Sequence, residues 1–238
     1  MSYRISLQGL ELGTYTVGVG DSVEQVGGRK AIVVQSHAAT AGVAQILGGK
    51  VDDRFTSWID IETGRSLRFQ VDEYATRSED VEHTTIDLAG RQGAIVPVTF
   101  RLNDQPPQPE PQKASLPEIW DYNAFLVAMR AWEGTPGPAI PIEVFRSRYL
   151  WHLEIKIRGR DKIKTELGEL PALRIDAHTY KLDRQGAKTA NDDERDFSLW
   201  ISDDDGRVPL QINAKTDYGD IKMQIIDYQP GNGTRLRP

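Results

Sequence analysis

The chain contains no cysteine. Disulfides, thiol nucleophiles and thiolate metal sites are excluded together. The compartment stays open, because an envelope protein need not use disulfides. There is also no run of about 18 apolar residues, the length that spans a bilayer as a helix. No apolar signal region follows Met1, so the sequence reads as either cytosolic or the mature form of an exported protein. Positive charge is in deficit, with a net charge of −6, which argues against a non-specific nucleic-acid binder. A Gly-x-Ser-x-Gly nucleophile elbow is missing. The four histidines, His37, His83, His152 and His178, are each more than four residues from the next, so no local zinc motif exists. No catalytic residue, metal site or cofactor is expected from motifs.

What is present is strand periodicity. Of the 238 residues 39% are apolar, enough for a core, and residues 1–238 are read as a single β-rich domain. Trp151, Leu153, Ile155 and Ile157 alternate with His152, Glu154, Lys156 and Arg158, the mark of a half-buried strand. A turn is expected at Gly159–Asp161, a short strand at Lys162–Thr165, and an extended stretch over Leu170–Leu182. Phe197, Leu199 and Ile201 alternate again, then Val208, Leu210 and Ile212, then Ile221, Met223 and Ile225. Connections this short make consecutive strands antiparallel neighbours. Earlier strands are expected at 14–19, 30–36, 55–61, 66–74, 81–88 and 94–102, with a hairpin loop at Glu62–Arg65. A short helix is expected over 41–47.

Two interruptions divide this pattern. Residues 104–117 hold five prolines and are expected as an extended surface loop. Tyr122, Phe125, Leu126, Met129 and Trp132 then fall at helical spacing. Asp121 is placed to cap this helix of about 121–133, and Gly134 and Pro136 stop it. The apolar stripe is expected on one face or end of the sheet. The fold class is mainly β: an antiparallel meander forming a barrel or strongly curled sheet, with one helix inserted mid-chain.

Phe197 to Leu210, with its Trp200 strand, acidic turn, Arg207 and Pro209, resembles the strand–turn–strand motif of domain of unknown function family 3108. Thr165 to Leu173 is similar to that family's preceding hairpin, Asp121 to Leu126 to its helix start, and Thr56 to Asp60 to a short N-terminal motif. The resemblance covers roughly residues 10–228. It implies a barrel or curled sheet like some small outer-membrane lipoproteins, and a periplasmic or outer-membrane-associated protein. It carries no reaction.

Asp203–Asp205 with Gly206 reads as a hairpin turn, Gly206 supplying positive φ, because Arg207 stands where a calcium loop needs another ligand. Gly18–Gly20 and Gly27–Gly28 read as hairpin loops rather than a dinucleotide fingerprint, since no helix follows. His152 and His178 share a polar face with Glu154, Arg174 and Asp176, either the solvent side of the sheet or a ligand site. The tryptophans are either core or cavity wall. The leading expectation is an envelope protein holding an apolar or amphipathic ligand, a lipid or glycan, at Trp151, His152, His178 and Trp200. The alternative is a structural or interaction protein of envelope or polysaccharide assembly that meets another envelope protein. An enzyme would need His152, His178 and Asp176 to converge in a cleft.

Overall fold

The structure, a computed structural model, describes residues 1–41, 50–75, 80–132, 134–189, 194–216 and 219–231. All but the first residue of the helix expected over 41–47 lies outside the described residues, as do residues 190–193 and 217–218. The chain runs β1 (Ser2–Leu7), β2 (Leu10–Val26), β3 (Arg29–Thr40), β4 (Asp52–Asp60), β5 (Ser66–Ala75), β6 (Asp80–Asp87), β7 (Ile95–Val96), β8 (Val98–Leu102), β9 (Gln108–Pro109), β10 (Gln112–Lys113) and β11 (Ile119–Asp121). Then come α1 (Tyr122–Met129), β12 (Ile140–Phe145), β13 (Leu150–Thr165), β14 (Gly168–Lys181), β15 (Arg195–Ser202), β16 (Pro209–Thr216) and β17 (Gly219–Asp227).

One fifteen-stranded sheet takes the order β11-β12-β13-β14-β15-β16-β17-β1-β2-β3-β4-β5-β6-β8-β9. Each half is an antiparallel meander, and β1 joins them by pairing with β17 on one side and β2 on the other. Among the described residues only the β11–β12 pair is parallel. The edge strands β9 and β11 do not pair with each other, so the sheet curls in a barrel-like way without closing. The short loops that force antiparallel neighbours are those visible in the sequence. The join through β1 is not.

Several boundaries differ from the periodicity. β13 does not stop at Gly159: Arg158 bulges, Gly159 takes φ 106°, and pairing resumes at Gly159 itself, opposite Arg174, so the expected turn and short strand are one strand. Gly18–Gly20 is not a hairpin loop. It lies within β2, where the register shifts between Val19 and Val23. The β2–β3 turn is Gly27–Gly28, both at positive φ as a tight hairpin requires. Pro97, with no N–H, separates β7 from β8 inside the stretch expected as one strand.

The helix ends at Met129, a turn earlier than its spacing suggests. Arg130, Ala131 and Trp132 donate to carbonyls three residues back, tightening the chain, and Trp132 packs edge-on against Phe125. α1 does not lie on a rim. Asn123, Ala124, Phe125, Leu126 and Met129 are all buried. Phe125, Leu126 and Met129 pack with Leu153, Ile155, Ile175 and Leu199 of the C-terminal meander. Ala124 packs with Tyr15, Val34 and Ile59 of the N-terminal one. The helix thus fills the space that the curled sheet surrounds, as a helix apolar on every side must.

Segment 104–117 is extended, as expected, but its second half is docked. Gln112 and Ala114 are buried, and Lys113 N–H donates to the Arg184 carbonyl. Glu110 is ion-paired to Arg184, and Glu143 accepts from Ser115 and Leu116 N–H. Proline lowers the entropy lost on fixing this strap, and it is held by its own Glu110 on Arg184 and by Glu143 of β12.

Candidate functional site

Register places the candidate residues. In β13–β14–β15, Glu154 lies opposite His178, which lies opposite Asp196. In the next row Lys156, Asp176, Ser198 and Asn213 are in line. In the third, Arg174, Trp200, Gln211 and Gln224 follow one another. Because side chains alternate between faces, this lattice is the polar face of the meander whose other face carries Leu153, Ile155, Ile175 and Leu199 against α1.

A trough of about 540 Å³ runs over the lattice, within the roughly 300–1,000 Å³ of small-ligand sites. His178 and Trp200 both line it. His152 lies beyond the trough along β13, two residues before Glu154, stacked on Tyr180 at 4.9 Å with Glu143 at 3.9 Å from its Nδ1. Trp151 is on the opposite face, packed against the core cluster that contains α1. The four expected ligand residues therefore do not converge: two share the trough, one flanks it, and one is core. Trp151 and His152 are sequence neighbours, so the strand pleat alone separates them.

Charge is graded along the trough. At one end His178 Nδ1 meets Asp196 at 2.8 Å and its Nε2 meets Glu194 at 3.3 Å. At the other, Arg158 and Arg174 both turn Nε onto Asp176, at 2.7 and 2.9 Å. Ser198 Oγ also donates to Asp176, at 2.7 Å. Burial pushes the Asp176 carboxyl up, but these donors outweigh it and hold its pKa below the usual range. One carboxylate thus answers two guanidiniums, with Lys156 beside them. The Arg174 guanidinium also lies over the Trp200 ring, 5.4 Å from its centroid. The Arg158 terminal nitrogens and the Lys156 ammonium have no hydrogen-bond or ion-pair partner among the described residues. Asp176 serves the arginines, not a histidine, so the convergence an enzyme reading asked for is not what the trough presents. The arginines were legible as polar-face residues, but the bulge that brings Arg158 beside Arg174 was not.

The acidic turn is a hairpin tip. Asp204 Oδ1 accepts from Ser202 Oγ at 2.8 Å, from Gly206 N–H at 2.8 Å and from Arg207 N–H at 3.1 Å. Positive φ falls on Arg207, at 47°, not on Gly206. The side chain of Arg207 is anchored on Asp203 at 3.0 Å, and the Asp204 carboxylate gathers the N–H groups that shape the turn. Among the described residues no group of three or more His, Asp or Glu is arranged to hold a metal ion. No described helix is long and apolar enough to cross a membrane.

The family model described as a protein of unknown function, DUF3108, matches residues 2–226. Among solved structures, the fold is similar to a β-barrel-like protein of domain of unknown function DUF1849 from Brucella abortus. The TM-score is 0.60 at 7% identity, over 94% of each chain. No curated protein sequence matches the chain.

Proposed function

The chain belongs to the DUF3108 family of proteins of unknown function, and from that premise we propose that it is a non-enzymatic binding protein of the bacterial cell envelope whose trough holds an anionic glycan. The observation that carries this reading is the pair Arg158 and Arg174, sharing Asp176 through Nε while the terminal nitrogens of Arg158 stay open. Such a fork suits a carboxylate or phosphate bidentately. Trp200 beside it supplies an aromatic face, and Ser198 and Asn213 supply neutral polar groups. A sugar bearing an acidic group matches all three chemistries. The interior is filled by α1 and its neighbours, so the ligand is placed on the polar face and not inside the curl. The envelope location follows what the family resemblance implies.

Titration of a uronate oligosaccharide into the protein by calorimetry tests the reading. Arg158→Ala combined with Arg174→Ala is expected to weaken binding about tenfold to a hundredfold, the worth of one charge-assisted hydrogen bond. Unchanged affinity in the double variant would remove the trough as the site. Fractionation of the native host is expected to place the protein in the envelope fraction, and a purely cytosolic pool contradicts the location.

A further inference from the structure

Of the four histidines, only His178 lines the trough. His37 and His83 each face one carboxylate elsewhere on the sheet, Asp52 and Asp72. His178 faces two. Its Nδ1 lies 2.8 Å from Asp196 and its Nε2 lies 3.3 Å from Glu194. A neutral imidazole has one N–H and one lone pair, so it can donate to only one of these acceptors. The imidazolium donates to both. The geometry is that of a charged ring held between two carboxylates.

The other groups around the ring are mostly acidic. Glu154 of β13 stands opposite His178 on one side and Asp196 of β15 on the other. Along β14 the same face carries Asp176 and Tyr180. The Tyr180 hydroxyl is pushed up by burial and stays uncharged. From the β14–β15 loop, Lys188 pairs with Glu194. Lys215, opposite Asp220, lies across the trough on β16. Lys188 holds the Glu194 carboxyl below the usual range. Asp176 is held below it too, by Ser198 and the two arginines against its own burial. Between about pH 5 and 8, therefore, an imidazole is the group here that changes charge.

The spacing gives that change its effect. His178 and Asp176 are two residues apart on one strand face, roughly 7 Å at strand rise. An anion on the arginines beside Asp176 thus lies within the roughly 10 Å over which charges act at 0.1 M salt. The charged ring offsets part of the acidic end. Without its proton, Glu154, Glu194 and Asp196 face the anion unscreened by it.

We infer that His178 is a proton switch for the trough: its imidazolium form favours uptake of an anionic ligand, and loss of the proton favours release. The inference rests on the trough reading and adds the regulation of that site. Affinity is highest in mild acid and falls as pH rises through the imidazole range of about pH 5–8.

Calorimetry with the uronate oligosaccharide at about pH 5.5 and about pH 7.5, at low ionic strength, is the test. Carboxylates titrate near 4, so the uronate stays ionised at both. The parent is expected to bind about threefold tighter at the lower pH, the effect of one unit charge roughly 7 Å away in a water-like medium. His178→Gln is expected to bind equally at both, while His83→Gln keeps the parent's difference. Glu194→Gln is expected to bind tighter than the parent at the higher pH, because one unscreened carboxylate is gone. Equal parent affinity at the two pH values, or a difference that survives in His178→Gln, overturns the switch and leaves the trough standing. Uronate binding at neither pH removes the trough reading itself, and the switch with it.

Discussion

Asp121→Ala is expected to lower the folding stability by about 3 kcal/mol, read as a shifted urea midpoint at constant slope. Asp121 is fully buried and caps α1, its Oδ1 accepting from Ala124 N–H at 2.8 Å. The same carboxylate takes the hydroxyl of Ser57 at 2.7 Å and that of Ser66, tying the helix start to β4 and β5. Losing an N-cap costs about 1 kcal/mol, and each hydroxyl left buried without a partner costs about 1–3 kcal/mol. Relief of a buried charge offsets part of that sum. Burial pushes the Asp121 pKa up despite the Ala124, Ser66 and Ser57 donors that pull it down. The sign follows directly. Between the unfolded value near 4 and the raised folded value, the native state keeps a proton that the unfolded state has lost, so stability falls as pH rises through that window. Asp121→Asn keeps an acceptor and cannot ionise. It is expected to stay within about 1 kcal/mol of the parent at neutral pH and to flatten that pH dependence. A midpoint unmoved in Asp121→Ala would show that the helix start is held by packing alone.

Glu143→Ala is expected to cost a similar amount, about 3 kcal/mol, and to free the proline-rich strap. Glu143 has no exposed surface. Its two oxygens accept Ser115 N–H at 3.2 and 3.0 Å, Leu116 N–H at 3.3 Å, and the Ser115 hydroxyl. Without it those donors face β12 unpartnered, and their desolvation is the cost. The strap keeps its other ties, Glu110 to Arg184 and Arg91 to the Leu116 and Pro117 carbonyls. The variant should therefore fold with a loosened segment. Limited proteolysis is expected to cut within 104–117 of Glu143→Ala faster than of the parent. Equal cutting rates would mean that the remaining contacts suffice.

Glu143 also marks where sequence reading stopped. No strand was visible at Ile140–Phe145, because Ile140 and Pro141 are exposed and Ile142, Glu143, Val144 and Phe145 are all buried, which destroys the alternation. A buried glutamate in a strand has no periodic signature. Its partners are 27 and 28 residues upstream. Likewise Asp121 was legible as a cap from its local spacing, while Ser57 and Ser66 as its partners were not, being 64 and 55 residues away. The shared polar face of His152, Glu154, Arg174, Asp176 and His178 was readable from period two on β13 and β14. Trp151 was assigned by residue type against its own phase, and the structure follows the phase.

The sequence by itself determined most strands of both meanders, though not β1 or β12, their antiparallel order, the cap and chain position of the helix, and which side chains of β13 and β14 face away from the core. Those are set within a few residues, by pleat, turn length and spacing. Tertiary structure decided that β1 joins β17 to β2, that the helix lies inside the curl, and that the strap docks. It also decided that Arg158 swings beside Arg174. Each of these depends on contacts between residues far apart in sequence or on a single bulge, and neither leaves a local pattern to read.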